Sequence, residues 1–190
     1  RIDLSGWRVA YSGSEPIRLD TLERFAEKFA PCGFTPDSFM ASYGLAEATL
    51  FVAGSPRGQG IGNLRVDDQA LAQNRVETGE GRAIMSCGIS QPDHAVLIVD
   101  TVALTELADN AIGEVWASGP SIALGYWRNP EASAKTFVQH NGQTWLRIGD
   151  LGFMRNGELF ITGRLKDMLI VRGHNLYPQD IEQNIEREVD

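Results

Sequence analysis

The sequence predicts an α/β fold in which a strand-helix unit comes first and a β-rich segment follows. The first 33 residues combine a short apolar strand with an amphipathic helix, and the part after residue 95 consists of short β segments. With 190 residues, of which 43% are hydrophobic, the chain can bury a sizeable core. These observations favour a globular protein.

The strand-helix unit has recognisable boundaries. We expect a strand over residues 7–12, a tight connection over 13–16 and then a helix. Asp20 is its predicted N-cap, with Glu23 three residues later. Its apolar face recurs at helical spacing and consists of Leu22, Phe25, Ala26 and Phe29. The Pro-Cys-Gly sequence at 31–33 is predicted to end the helix.

The region over 54–85 is predicted to be an insertion. Its glycine-rich beginning, residues 54–62, shows no periodicity and is expected to form a mobile loop. A polar stretch follows to about Arg82. The glycines match neither a dinucleotide-binding fingerprint nor a phosphate-binding loop, so we interpret 54–62 as a connector.

The remaining chain is predicted to be mostly β. A hairpin with strands 151–155 and 158–162 is expected around Asn156-Gly157, because both positions tolerate a positive φ. Further strands are predicted over 95–100, 113–118 and 144–148, and a buried strand over 168–171.

Two more helices complete the prediction. Asn129 is expected to cap a helix through about Phe137, with Pro130 in its first turn. A final amphipathic helix opens at Tyr177-Pro178. Its apolar face is formed by Ile181, Ile185 and Val189.

Composition excludes several classes of function. Seventeen Lys and Arg against 25 Asp and Glu give a net charge of −8, which argues against nucleic acid or an anionic membrane as the main partner. The longest apolar run, residues 95–99, is too short to span a bilayer. We expect a cytoplasmic protein, because the sequence shows no leader and no Asn-x-Ser/Thr site. Cys32 and Cys87 are predicted to be reduced, packed thiols.

Three local segments could carry chemistry. In the segment 42–47, the ring of Tyr43 beside Gly44 suits a purine, and the carboxylate of Glu47 can hold Mg²⁺. Asp150 follows a predicted strand and could accept hydrogen bonds from ribose hydroxyls. Arg164 offers a planar fork of donors to ribose or phosphate oxygens. Each has a simpler alternative, namely a strand end, a turn or a salt-bridged surface loop.

In order along the chain, these segments resemble the motifs of the adenylate-forming superfamily, which includes acyl-CoA synthetases, peptide-synthetase adenylation domains and luciferases. The matching segments are 12–16, 42–47, 113–127, 146–151 and 163–182. Within the superfamily the chain is most similar to the fatty acyl-AMP ligases, through residues 43–50, 86–88 and 172–182. The insertion fits that subfamily, because acyl-CoA synthetases lack it.

The resemblance implies a domain organisation. Residues 1–163 would form the C-terminal part of the large N-terminal domain of an adenylate-forming enzyme, and 164–190 the hinge and the beginning of the small C-terminal domain. The phosphate-binding loop would precede Arg1 and a catalytic lysine would follow Asp190. We therefore expect this fragment alone to be inactive.

The resemblance also implies ATP and AMP binding with Mg²⁺. The residues implied around the nucleotide are Gly13, Ser14, Glu15, Ser42, Tyr43, Gly44, Leu45, Ala46, Asp150 and Arg164. Glu47, as the Mg²⁺ ligand, and Lys166, at the hinge, are implied as catalytic residues. Ile148 stands where the family usually has Thr; a lost neutral hydrogen bond of ~0.5–1.5 kcal/mol would weaken ATP binding at most.

The implied reaction is attack of a fatty carboxylate on ATP to give an acyl-adenylate and pyrophosphate. The insertion would disfavour a rotated state of the small domain that uses CoA, so the acyl group would pass to an acyl carrier protein of a polyketide or peptide synthetase. An acyl-CoA ligase and a non-catalytic nucleotide-binding scaffold are the alternatives. The enzymatic interpretation requires Tyr43, Glu47, Asp150 and Arg164 to line one cleft.

Overall fold

A computed structural model describes residues 2–171, 174–176, 178, 181, 182 and 185. It confirms the α/β fold. The strands are β1 Ala10–Gly13, β2 Phe39–Tyr43, β3 Ala53–Gly54, β4 Asn63–Val66, β5 Thr78–Met85, β6 Ile89–Ser90, β7 Ala95–Val99, β8 Gly113–Ser118, β9 Phe137–His140, β10 Gln143–Arg155, β11 Glu158–Arg164, β12 Leu169–Val171 and β13 His174–Leu176. The helices are α1 Leu19–Phe29, α2 Asp68–Leu71 and α3 Pro130–Thr136, with short 3₁₀ turns at Ala30–Cys32, Pro36–Ser38 and Ala46–Ala48.

The first sheet has the strand order β1-β2-β3-β6, with β1 parallel to β2 and the other pairs antiparallel. The strand predicted over 7–12 therefore lies slightly later in the chain. The predicted apolar face of α1 packs against the buried side chains of Ala10, Phe34 and Phe39, which fixes the helix on this sheet.

Asp20 is not the N-cap of α1. The backbone is still extended at Arg18 and becomes helical at Leu19, so Asp20 already lies in the first helical turn. Its negative charge there still suits the positive end of the helix dipole. The predicted end of the helix is confirmed: α1 passes into a 3₁₀ turn that closes at Gly33 with a φ of 87°.

The second sheet has the order β11-β10-β8-β7, and β9 pairs with β10. The predicted strands 144–148 and 151–155 are parts of one continuous strand, β10. The hairpin between β10 and β11 is confirmed, with φ of 53° at Asn156 and 81° at Gly157. Asn129 caps α3 as predicted, because its side chain accepts a hydrogen bond from the amide of Ala132.

The predicted insertion contains more structure than a polar stretch. Strands β4 and β5 form an antiparallel pair, and Asp67 caps α2 between them. Only its beginning, residues 55–62, has the predicted irregular structure. The insertion packs on one face of the second sheet through a buried cluster. Its members are Val66, Leu71, Val76, Ile84, Ile112, Leu151, Phe153 and Phe160.

The opposite face of the second sheet packs on the first sheet. Ala53 lies in one buried cluster with Ile98, Val115 and Leu159, so the second sheet lies between the insertion and the first sheet. Tyr43 packs at the margin of this cluster.

Near the C-terminal end, two predictions need qualification. The strand predicted over 168–171 is β12, but it is not buried throughout, because half of Leu169 is exposed. It pairs with β13 and not with either main sheet. The predicted final helix is seen at positions 178, 181, 182 and 185, and Val189 lies outside the described residues.

Two other predictions concern cysteines and membranes. Cys32 and Cys87 are both free and partly buried, as predicted. In the part of the chain that the structure describes, every helix is too short or too polar to cross a membrane.

The turn between β2 and β3 offers a test of the fold. A Cβ added at Gly44 would overlap the carbonyl oxygen of Leu50, whereas a Cβ at Gly6 would meet no atom within 4 Å. We expect Gly44→Ala to lower the free energy of unfolding by about 1–3 kcal/mol, because backbone atoms must move apart. Chemical denaturation of the full-length protein measures this, with Gly6→Ala as the control. Equal stability of the two variants would contradict the close approach.

Candidate nucleotide-binding site

The candidate site lies at the carboxyl ends of β1 and β2, the edge at which open α/β sheets bind ligands. The two parallel strands end side by side, since Gly13 pairs with Ser42. The backbones of the two strands approach so closely here that glycine is required, because a Cβ at Gly13 would overlap the carbonyl oxygen of Ser42. Ser14 and Glu15 follow as an exposed loop, and Ser14 has a φ of 69°.

Tyr43 and Asp150 form the centre of the site. The phenol of Tyr43 donates a hydrogen bond of 2.7 Å to Oδ2 of Asp150, across 107 residues of sequence. The ring of Tyr43 is half-buried and packs beside Ile148. Only 15% of the Asp150 side chain is exposed. The first and second sheets are therefore joined by a polar contact at this point.

Arg164 completes a group of three. It lies directly opposite Asp150 in the register of β10 and β11, and its Nε lies 3.5 Å from Oδ1 of Asp150. Its side chain is 62% exposed, so most of the guanidinium faces solvent. The amide of Leu165 donates to the carbonyl of Gly149, which ties the chain after β11 to the residue before Asp150.

The electrostatics of this group reflect its burial. Burial raises the pKa of Asp150 above its ordinary value of 3.8, while the hydrogen bond from Tyr43 and the charge of Arg164 act in the opposite direction. Burial and the neighbouring carboxylate of Asp150 raise the pKa of Tyr43 well above 10.0. Tyr43 is thus a hydrogen-bond donor at neutral pH. Burial also raises the pKa of Cys87 to about 12, so this neighbouring thiol stays protonated.

Glu47 has a separate environment. It lies in the 3₁₀ turn after β2, and its Oε1 accepts a hydrogen bond of 2.6 Å from the phenol of Tyr126. The amide of Ala123 donates to the backbone carbonyl of Glu47, which fixes the turn against residues 119–123. The structure thus brings Tyr43, Asp150 and Arg164 into contact and holds Glu47 by other partners.

The remaining predicted residues lie around this group. Leu45 packs in the buried cluster beside Tyr43, and Ala46 begins the 3₁₀ turn. Lys166 is exposed in the turn after β11, close enough for its charge to lower the pKa of Asp150.

Sequence reasoning missed three residues around the site. Tyr126, the donor to Glu47, stands in a segment that we interpreted only as structural. Glu114 and Arg147 form an ion pair of 2.8 Å beside the part of β10 that carries Asp150. The sequence does contain an indication of this pair, because each of two apolar strands includes one charged residue. Charged residues are uncommon inside such strands unless they are paired.

The arrangement defines a class of protein: an α/β domain with an acidic and a basic side chain converging at the carboxyl ends of parallel strands. Residues 1–127 match the family described as AMP-binding enzyme. The chain belongs to this family.

Individual relatives give more detail. The chain is 41% identical over 197 residues to the medium-chain fatty acid:acyl-carrier-protein ligase JamA of Moorena producens, covering 98% of this chain and 33% of JamA. A structure from a study of fatty acyl-adenylate ligases of E. coli and L. pneumophila is 38% identical with a TM-score of 0.89, covering 98% of this chain and 34% of that one. The L. pneumophila ligase in complex with acyl adenylate and pyrophosphate is 36% identical with a TM-score of 0.82, covering 96% and 33%.

These similarities confirm the resemblance seen in the sequence. The fold is that of adenylate-forming enzymes. The chain spans about a third of the length of the relatives it matches.

The buried carboxylate makes a prediction about stability. The raised pKa of Asp150 means that the folded state holds this proton more tightly than the unfolded state. The free energy of unfolding therefore falls as the pH rises from 3.8 through the raised pKa. Asp150→Asn has no charge to bury, so we expect it to stabilise the protein at pH 7 by about 0.5–2 kcal/mol, the usual size of a single stabilising substitution. The gain should vanish below pH 3.8.

Asp100→Asn is the matched control, because the pKa of Asp100 is lowered whereas that of Asp150 is raised. Backbone amides of Ala103 and Val102 lower the pKa of Asp100, which favours its charged form in the folded state. This variant should therefore lose stability at neutral pH and approach the wild type in acid. Thermal unfolding from pH 3 to 8 measures both, and loss of stability in Asp150→Asn at pH 7 would contradict the sign.

Proposed function

We propose that this chain forms the nucleotide-binding part of an ATP-dependent fatty acyl-AMP ligase. The observation that carries the proposal is the convergence of Tyr43, Asp150 and Arg164 at the carboxyl edge of the first sheet. A carboxylate with one oxygen bound to Tyr43 and the other beside an exposed guanidinium suits the recognition of ribose hydroxyls, which need an acceptor. The names of JamA and of the fatty acyl-adenylate ligases support the choice of substrate.

In this reaction an oxygen of the fatty carboxylate attacks the α-phosphorus of ATP, and the bond to pyrophosphate breaks. The nucleophile is already ionised, so no general base is required, and catalysis consists of positioning and charge stabilisation. Asp150 would fix the ribose, and the ring of Tyr43, with the backbone of Gly44, would flank the adenine. Arg164 would supply donors to nucleotide oxygens from its exposed side chain.

Mg²⁺ fits the site through Glu47. The described residues contain no group of three or more His, Cys, Asp and Glu side chains that could hold a metal ion. Mg²⁺ needs no such group, since it is commonly held by one or two carboxylates together with substrate phosphates. Glu47 would be this carboxylate, held in place by Tyr126. When bound, the metal would neutralise charge on the phosphates.

We infer that the acyl acceptor is an acyl carrier protein, as in the name of JamA, and that it belongs to a polyketide or peptide synthetase. Contacts of the insertion support this choice over CoA. Leu165 and Met168, on either side of Lys166, pack against the cluster that the insertion forms with the second sheet. These contacts would restrain the hinge and disfavour the state that uses CoA. The cytoplasm remains the predicted location.

The nucleotide site can be tested by calorimetry on the full-length protein. We expect AMP to bind the wild type and to bind Asp150→Asn at least about tenfold more weakly, because a hydrogen bond to a charged group is worth ~1.5–3 kcal/mol. Asp100→Asn should bind AMP like the wild type. No binding of AMP or of ATP with Mg²⁺ at millimolar concentrations would favour the scaffold alternative.

The choice of acceptor makes a second prediction. Leu165→Ala combined with Met168→Ala should increase acyl-CoA formation from fatty acid, ATP and CoA. Weakening the restraint by about 1.4 kcal/mol would raise the population of the competent state tenfold. Mass spectrometry of the products measures this, with Val138→Ala, a partly buried residue of another cluster, as the control. Efficient acyl-CoA formation by the wild type would instead support an acyl-CoA ligase.

A further inference from the structure

The candidate ribose ligand Asp150 stands at an irregularity of β10. In the pairing of β10 with β8, Arg147 lies opposite Trp116, and Leu151 lies opposite Glu114. Four residue steps on β10 thus match only two on β8. The extra length holds residues 148–150, and Gly149 has a φ of 80°. This bulge takes Asp150 out of the pairing with β8, while Asp150 stays opposite Arg164 of β11 and accepts the hydrogen bond from Tyr43.

An ion pair crosses this bulge. Glu114, which lies opposite the residue after the bulge, accepts hydrogen bonds at Oε2 from Nη2 and Nε of Arg147, at 2.8 and 3.0 Å. Arg147 is the residue before the bulge. The residue before the bulge is therefore tied by its side chain to the residue of β8 that lies opposite the end of the bulge.

The ion pair is held in a fixed geometry. Glu114 is 3% exposed, and its Oε2 also accepts a hydrogen bond of 3.0 Å from Nε1 of Trp116. The guanidinium of Arg147 lies 5.5 Å from the centre of the Trp116 ring, within reach of a cation–π interaction. One carboxylate oxygen thus receives three donors, which orients both charged side chains.

The pair lies away from the nucleotide site. Arg147 and Trp116 share one face of the sheet, since they are paired in register. Their neighbours Val115 and Ile148 pack with Tyr43 on the other face. Arg147 and Glu114 therefore act on Asp150 through the backbone of the bulge and not through direct contact with the nucleotide.

Stability alone does not explain this ion pair, in which Glu114 is buried and the side chain of Arg147 is 28% exposed. Well-packed apolar residues of similar size commonly stabilise a protein as well as such a pair or better. We infer that Glu114 and Arg147 are positioning residues, which hold the bulge in the shape that presents Asp150 to the ribose. This inference rests on the proposed nucleotide-binding function.

The test removes both charges and keeps the packing. In the full-length protein we combine Glu114→Leu with Arg147→Met and measure the AMP dissociation constant, KM for ATP and kcat in ATP–pyrophosphate exchange, and amide exchange over residues 148–151. We expect wild-type or higher thermal stability, a dissociation constant and KM raised about tenfold, an almost unchanged kcat, and faster amide exchange in the bulge.

The control is Glu131→Leu with Lys135→Met, which removes an exposed ion pair on α3 and should leave all these quantities unchanged. Arg147→Lys keeps the charge but loses the two-point contact, so it should give an intermediate dissociation constant. If the double variant does not fold, the AMP dissociation constant of Arg147→Lys tests the inference instead.

If the wild type binds AMP, a folded double variant with unchanged AMP affinity and unchanged amide exchange would overturn the inference. A wild type that does not bind AMP would contradict the proposed function instead. A fall in thermal stability with unchanged AMP affinity would assign the ion pair a purely structural role, and this too would overturn the inference.

Discussion

The hydrogen bond between Tyr43 and Asp150 is the contact on which the candidate site depends. It joins the end of β2 in the first sheet to the bulge of β10 in the second. Tyr43 reaches this position because its strand ends beside β1, and Asp150 reaches it because β10 leaves its regular register. Arg164 is the partner of Asp150 across the hairpin, and this pairing is set by a register shift of β10 against β11 between Leu151 and Gly152.

Glu114 and Asp150, two carboxylates near this contact, differ in how far hydrogen bonds and charges compensate their burial. Glu114 receives three hydrogen bonds from Arg147 and Trp116, so its charge is compensated within the sheet. Asp150 has one hydrogen bond from Tyr43 and a longer contact with the exposed Arg164, and burial raises its pKa. An incompletely compensated carboxylate costs stability but retains capacity to accept hydrogen bonds from a ligand. This difference supports the proposed roles of Asp150 in binding and of Glu114 in positioning.

The sequence predicted those features that are encoded locally. The hairpin at Asn156-Gly157 and the cap at Asn129 depend on neighbouring residues and were confirmed. The two-residue strands β3 and β6 are too short to show a periodicity, and they exist only because the first sheet offers them a partner. Asp20 failed as a cap because α1 begins two residues earlier than a cap at Asp20 would allow, with Arg18 as its N-cap.

In the candidate site, too, the residue types could be predicted from the sequence, whereas their contacts could not. The residue types of Tyr43, Asp150 and Arg164 indicated a nucleotide site, but their contact depends on register across two sheets. The bulge in β10 is not visible in a strand pattern, since 144–148 and 151–155 simply read as two strands. The cleft that Glu47 shares with the other three stays a prediction; the turn after β2 directs its carboxylate to Tyr126. That direction is set by the contact of the turn with residues 119–123, which no local pattern encodes.

The predicted insertion shares a buried cluster with the chain that follows Arg164. Its buried side chains form one cluster with Leu151 and Phe153 of β10, the strand that carries Asp150, and with Phe160 of β11. Leu165 packs on the same cluster, and its amide is bound to Gly149 inside the bulge. Movement of the chain after Arg164 would therefore break apolar contacts with this cluster and a hydrogen bond to the bulge together. Asp150, the proposed ribose ligand, and the chain after Arg164 are thus joined through the same short stretch of β10.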